Sequence, residues 1–166
     1  MYNLKIYKLK IKRGKNMIEY RIATEDDIEL LMSSRLEMLR TVNDLSDEYV
    51  YSEEIVFASR DYFLNGDHTT ILAIDESIVI GCASISYIWI MPTFSHPSGR
   101  RAHLMNVYTK NTYRRQGIAR KMVEMLIRDA RDKGATEISL DATSMGRPLY
   151  ESLGFVDSKE CMVLEL

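Results

Sequence analysis

The stretch from Gly117 to Gly134 constrains the fold of this chain most. Ile118, Met122, Leu126 and Ala130 recur at helical spacing, and Ala119, Val123 and Ile127 widen them into an apolar stripe. On the other side Glu124 precedes Arg128 by four residues and Arg128 precedes Asp132 by four, the spacing of pairs on a solvated helix face. Gly134 supplies the stop. Just upstream, "HLMNVYT" at 103–109 predicts a strand, so this region is read as strand, short turn, helix.

The charge at the start of that helix is unusual. Arg114, Arg115, Arg120 and Lys121 crowd the end whose dipole is already positive, where acidic side chains are normally favoured. A strand running through a short turn into a helix that begins with Gly117 and the small Ala119 points several free backbone N–H groups at one spot. That spot is an anion site, and a glycine there admits a ligand close to the backbone. The cations then fit a polyanion such as a pyrophosphate; a solvated basic helix end is the alternative that charge alone leaves open. The G-x-x-x-x-G-K-[ST] and G-x-G-x-x-G phosphate motifs are both absent.

The rest of the chain supplies a layered context. "IEYRIA" at 18–23 predicts a strand, with Thr24 and Asp27 in a capping-box-like arrangement before a helix to about Val42. A second helix is expected from roughly Asp47 to Leu64, then a hairpin made of "TTILAI" and "SIVIGCASISYIWI" around "DES". "MPTFSHPSGRR" at 91–101 reads as a loop. "TEISLDA" at 136–142 predicts a strand, "RPLYESLGF" a short helix with Pro148 in its first turn, and "CMVLEL" a last strand. This order indicates α/β or α+β architecture with a mixed sheet.

Composition narrows the function classes. With 166 residues and 46% hydrophobic side chains, the chain is expected to form one domain over 17–166. Residues 1–16 hold six basic side chains and no acid, and are read as a basic arm, disordered or a non-native extension; a weak strand and a membrane or nucleic-acid patch are the alternatives. The remaining residues carry 16 basic against 24 acidic side chains, which argues against nucleic acid as a partner of the domain. No apolar run reaches membrane-spanning length, and Cys82 and Cys161 stand in no metal-ligand or redox spacing. A cytoplasmic protein without a metal or a membrane partner is expected, with a homodimer left open.

The residues also resemble a known family. "RRQGIA" matches the acetyl-coenzyme A motif [QR]-x-x-G-x-[GA] of GNAT-type N-acetyltransferases through Arg114, Gly117 and Ala119. "LYESLGF" at 149–155 matches their C-terminal Y-E-x-L-G-F motif about 30 residues on. The resemblance implies a GNAT-like fold: a central mixed, mostly antiparallel sheet with a splayed pair of strands, flanked by about four helices. It implies an acetyl-CoA dependent N-acetyltransferase acting by direct attack of a primary amine, on a small molecule or a peptide, in a ternary complex; a noncatalytic acyl-CoA sensor on the same scaffold is the alternative.

The resemblance also assigns roles. Val107, Tyr108 and Thr109 on the splayed strand would meet the pantetheine arm, and Arg114, Arg115, Gln116, Gly117, Ile118, Ala119 and Arg120 would hold the pyrophosphate. Thr143 stands where many members have an asparagine that contacts pantetheine. Tyr150 matches the general acid: a phenol of pKa near 10 can protonate a departing thiolate whose pKa is near 8.5. No motif identifies a base; Glu19, His96, His103, or water near Asn106 and Tyr108 are the candidates. The acids Asp44, Asp47, Glu48, Glu53 and Glu54 could attract a cationic acceptor or simply solvate a helix start.

Overall fold

A computed structural model describes residues 9–13, 16–158 and 161–165. Ten elements follow one another: β1 (Leu9–Arg13), β2 (Asn16–Ile22), α1 (Ile28–Val42), α2 (Glu53–Asn65), β3 (His68–Asp75), β4 (Ile78–Trp89), β5 (Arg100–Thr109), α3 (Ile118–Asp132), β6 (Ile138–Leu140) and α4 (Arg147–Glu151). Among the described residues one six-stranded sheet runs in the order β1 to β6. Every pair from β1 to β5 is antiparallel, and β5 pairs with β6 in parallel, so the sheet is mixed and mostly antiparallel as expected. The parallel pair needs a crossover, and α3 provides it.

The basic arm contributes β1, in register with β2 from Leu9 opposite Tyr20 to Arg13 opposite Asn16. Asn16, the last residue of the arm, opens β2, and residues 1–8 with 14 and 15 lie outside the described residues.

β3 is buried along most of its length because both faces of the sheet are covered. Ile71 and Ala73 face one core with Ile118, Met122, Val123 and Leu126 of α3. Leu72 faces the other, with Leu31, Met32 and Met38 of α1 and Phe63 of α2. Adjacent residues on a pleated strand point to opposite faces, so three consecutive side chains serve two cores. Leu126 is fully buried, a contribution of about 1.5–3 kcal/mol.

Helix starts explain where the sequence reading was displaced. α1 is preceded by a 3₁₀ turn, Glu25–Asp27, in which the Asp27 carboxylate accepts from the Thr24 amide at 2.9 Å and takes a two-pronged contact from Arg21 at 2.6 and 2.7 Å. α2 begins at Glu53 rather than near Asp47, because Ser52 is the cap: its hydroxyl accepts from the Ile55 amide at 3.4 Å, and Glu53 and Glu54 occupy the first turn. β5 starts at Arg100, inside the segment read as loop. The strand expected at "CMVLEL" is not formed over 161–165, where no strand among the described residues pairs with its backbone. Among the described residues no helix is long and apolar enough to cross a membrane.

Candidate functional site

The site begins where the sheet separates. β5 and β6 share three rungs, Ala102 with Ile138, His103 with Ser139 and Leu104 with Leu140, and there the pairing ends. β5 runs on to Thr109, held on its other side by Cys82 opposite Tyr108 and Gly81 opposite Thr109. Among the described residues the edge of β5 facing β6 therefore has no strand partner beyond Leu104. Such an edge offers unpaired backbone donors and acceptors to an extended ligand.

Three of the expected residues lie along this edge. Val107 is half-buried against the α3-side core. Tyr108 points to the opposite face and donates its hydroxyl to Glu37 Oε1 at 3.1 Å; burial is the main cause that pushes its pKa up. Thr109 is buried, and its Oγ1 has no hydrogen-bond partner among the described residues.

The strand passes into the basic loop. The Arg114 Nε donates to the Thr109 carbonyl at 3.2 Å, folding the guanidinium back over the strand end, and its Nη1 lies 3.8 Å from Met145 Sδ. Arg115 and Gly117 both have left-handed backbone, φ 61° and 75°, so the chain turns sharply into α3; glycine takes this conformation without penalty. No acidic side chain occupies the first turn of α3, and the amides from Arg115 to Arg120 find no acceptor among the described residues. Gln116 donates to the Thr112 carbonyl at 3.4 Å. Ile118, 1% exposed, anchors the turn in the core, with Ala119 half-buried beside it. Arg120 is committed elsewhere: its Nη2 donates to the Ser152 carbonyl and hydroxyl at 3.3 Å each, and its Nη1 lies 3.6 Å from Glu124.

Across the seam, past β6, stand Thr143 and Tyr150. Thr143 is exposed, and its Oγ1 accepts from the Gly146 amide at 3.1 Å, closing the turn before α4. Tyr150 is half-buried with its ring edge-on to Phe155 at 5.9 Å between centroids. Its hydroxyl makes no hydrogen bond to a described residue. Burial pushes its pKa above the usual tyrosine value, so the phenol keeps its proton at neutral pH.

A cleft of about 260 Å³ opens on the other side of β5, between α1 and α2, lined by Arg35, Ser59, Tyr62, Phe63, Met105 and Asn106 among others. It sits at a bulge: Cys82 pairs with Tyr108 and Ser84 with Met105, so β5 carries one residue more than β4, and Asn106 absorbs it with φ 54°. Tyr62 and Ser86 share a hydrogen bond of 2.6 Å. Asn106 is the one base-related candidate that lines this cleft. Glu19 pairs with Arg21 at 3.8 Å, His96 lies against Thr136 and Glu137, and His103 against Ser139 and Asp141. The acids Asp44, Asp47, Glu48, Glu53 and Glu54 are exposed, and none lines the cleft.

Arg35 is absent from the sequence reading. Its signal was an arginine on an apolar helix stripe, four after Leu31 and three before Met38. Cys82 is buried, and its thiol pKa is pushed up to about 11 by burial.

Comparison with known proteins adds to this geometry. The model of the acetyltransferase (GNAT) family matches residues 36–155. A solved structure described as a predicted acetyltransferase with acetyl-CoA, from Clostridium acetobutylicum, is 30% identical, with a TM-score of 0.78, and the match covers 90% of this chain and 96% of that one. N-acetyltransferase 8 of Homo sapiens is 36% identical over 59 residues, 34% of this chain and 26% of that protein. Thialysine N-epsilon-acetyltransferase of Bos taurus is 34% identical over 71 residues, 41% of this chain and 42% of that protein. The chain thus spans well under half the length of these two curated relatives.

Proposed function

This chain belongs to the acetyltransferase (GNAT) family, and from that premise we propose that it transfers an acetyl group from acetyl-CoA to a primary amine without a covalent enzyme intermediate. The observation that carries the reading is the continuity of an open strand edge, Met105 to Thr109, with a helix start whose amides, from Arg115 to Arg120, have no acceptor among the described residues. One accommodates an extended amide-bearing arm, and the other its diphosphate.

Acetyl-CoA supplies, when bound, a thioester whose acyl carbon accepts the amine. The backbone of Val107 to Thr109 pairs with the pantetheine arm. The loop amides, with Arg114 and Arg115, hold the diphosphate, while Arg120 braces α3 against Ser152. Tyr150 acts as the acid. As the C–N bond forms and the C–S bond breaks, the amine gives a proton to water in the cleft beside Asn106 and Tyr150 gives one to sulfur. Tyr150 then recovers its proton from solvent, leaving an amide and a free thiol. Cys82 takes no part, since a thiol of pKa about 11 at full burial is a poor nucleophile.

The catalytic unit is residues 17–166, to which the arm adds β1 at the sheet edge. Two unpaired cysteines favour a reducing, cytoplasmic setting.

A panel of primary amines, each assayed for thiol release from acetyl-CoA beside calorimetric binding of acetyl-CoA, tests the reading. Amine-dependent release supports it. Binding with no release from any amine would replace it with an acyl-CoA sensor.

A further inference from the structure

The cleft beside Asn106 contains a cation with no counter-ion among the described residues. Arg35 lies on the inward side of α1, and its Nη1 donates to Asn106 Oδ1 at 3.3 Å. That is its one hydrogen bond among the described residues, and no carboxylate lies within ion-pair distance of it. A guanidinium has five N–H donors in a planar fork, so most of this one is unused. The acids on the neighbouring helix surfaces are engaged with other cations: Glu37 with Lys110 at 3.1 Å and Glu29 with Arg60 at 2.9 Å. Burial pulls the Arg35 pKa below its ordinary value, yet an arginine stays charged at neutral pH. A partly desolvated charge facing a neutral amide is costly unless an anion arrives to meet it.

We propose that Arg35 binds the carboxylate of the acceptor, so that the acceptor is a small amino acid. The inference rests on the acetyl-transfer reading above and names the substrate class of that same site. Three observations direct it. Among the described residues Arg35 is the one charged side chain lining the cleft, which disfavours polycationic acceptors. About 260 Å³ lies just below the range of drug-sized pockets and suits a compact molecule. The cofactor's own anionic end belongs elsewhere, because Asn106 stands three residues, about 10 Å, before the end of β5 and the loop lies beyond that. Arg35 reaches Asn106, the neighbour of Val107, so a carboxylate held there brings its amine beside the cofactor strand.

The test compares matched pairs on the full chain: glycine with glycinamide, β-alanine with β-alaninamide and methionine with methioninamide, each as acceptor in the thiol-release assay. The carboxylate member of at least one pair is expected to be favoured about tenfold or more in kcat/KM, mainly through KM. R35Q should bring that ratio close to one, and R35K should retain part of it, with acetyl-CoA affinity within about twofold in both. The proposal is overturned if the amides are as good as the acids in every pair. It is also overturned if R35Q lowers both members equally through kcat, which would place the guanidinium on the acyl oxygen instead. Binding of N-acetylmethionine and N-acetylmethioninamide, followed by NMR, separates this inference from the transfer reading. Selective binding of the acid, lost in R35Q, upholds the carboxylate pocket even where no thiol is released, and equal binding of the two overturns it.

Discussion

The Tyr87 hydroxyl on β4 donates to Asp129 Oδ2 on α3 at 2.5 Å, fastening the helix to the sheet. The same oxygen accepts from Thr69 Oγ1 at 2.6 Å and lies 3.2 Å from Lys133 Nζ. Burial, with Asp129 itself, pushes the Tyr87 pKa far up, so the phenol remains a donor at any ordinary pH. Asp129→Ala leaves the buried hydroxyls of Tyr87 and Thr69 without their acceptor and removes the counter-ion of Lys133, whose ammonium keeps its 2.6 Å hydrogen bond to Thr69 Oγ1. A loss of about 3 kcal/mol is expected, or roughly 6–12 °C in Tm, measured by urea and thermal unfolding.

Gly117→Glu tests the anion site. The substitution forces a side chain onto a residue at φ 75° and adds a negative charge where a diphosphate would lie. One such repulsion across about 5 Å at an effective dielectric near 20 amounts to about 3 kcal/mol. Acetyl-CoA affinity, by calorimetry, should fall at least about 100-fold while the circular dichroism spectrum is kept. Unchanged affinity in a folded variant would rule out the diphosphate site at this loop.

For Tyr150→Phe the effect belongs in the rate. The variant removes a hydroxyl that makes no hydrogen bond to a described residue, and it keeps the ring packed on Phe155, so stability should change little. Turnover should fall about 10²- to 10⁴-fold with acetyl-CoA affinity nearly constant. Because burial raises the Tyr150 pKa, the protonated acid persists as pH rises, and the alkaline loss of kcat should lie above about pH 10 in wild type. A variant within about threefold of wild type, with chemistry rate-limiting, would leave Tyr150 a packed aromatic.

Asp27 predicts an acid limb. Its hydrogen bonds from Arg21, set against a smaller burial cost, hold its carboxyl below the ordinary value. The folded state therefore binds this proton less readily than the unfolded chain. Its stabilisation is fully present above the unfolded pKa of about 3.9 and is lost as pH falls through the folded value. Asp27→Asn should be less stable by about 1–3 kcal/mol at neutral pH, with a flatter decline below about pH 4. Urea midpoints taken across that range measure both, and parallel curves would remove Asp27 from the account.

The two cysteines should separate cleanly. Cys161 is exposed, whereas Cys82 is buried with its thiol pushed up to about 11 and engaged by Ser34 at 3.0 Å. Iodoacetamide at neutral pH should add one label to the native protein and two after denaturation. Two labels on the native chain would mean that β4 opens readily.

Much of the fold was legible where periodicity and capping agreed. The stripe from Ile118 to Ala130 gives α3 directly, and Pro148 with Gly154 brackets the short helix that carries Tyr150. The charge excess at Arg114 and Arg115 marks a helix start whose amides lack acceptors among the described residues. Tertiary features were less accessible. The hairpin turn between β3 and β4 places Glu76 and Ser77 at φ 46° and 72° without a glycine, because the strands on both sides impose the turn. The left-handed Asn106 arises from a one-residue mismatch between β4 and β5, which no local pattern encodes. Arg35 passed as an ordinary helix residue, since a single cation on an apolar stripe becomes informative only once β5 is seen to face it. The acidic cluster from Asp44 to Glu54 drew attention by its charge, yet it lies exposed, outside the cleft.

The three-rung junction of β5 with β6 divides the molecule for hydrogen exchange. Strands β2 to β5 are neighbours in sequence and are laced by long ladders, whereas the segment carrying Thr143 and Tyr150 joins them through Ala102, His103 and Leu104 alone in the sheet. Amides of β6 and α4 should therefore exchange by a partial opening that costs less than global unfolding, while those of β3 and β4 exchange near the global limit. A cofactor lying along the open edge of β5 would touch both sides of that junction, so its binding should slow exchange most in β6 and α4, merging two cooperative units into one.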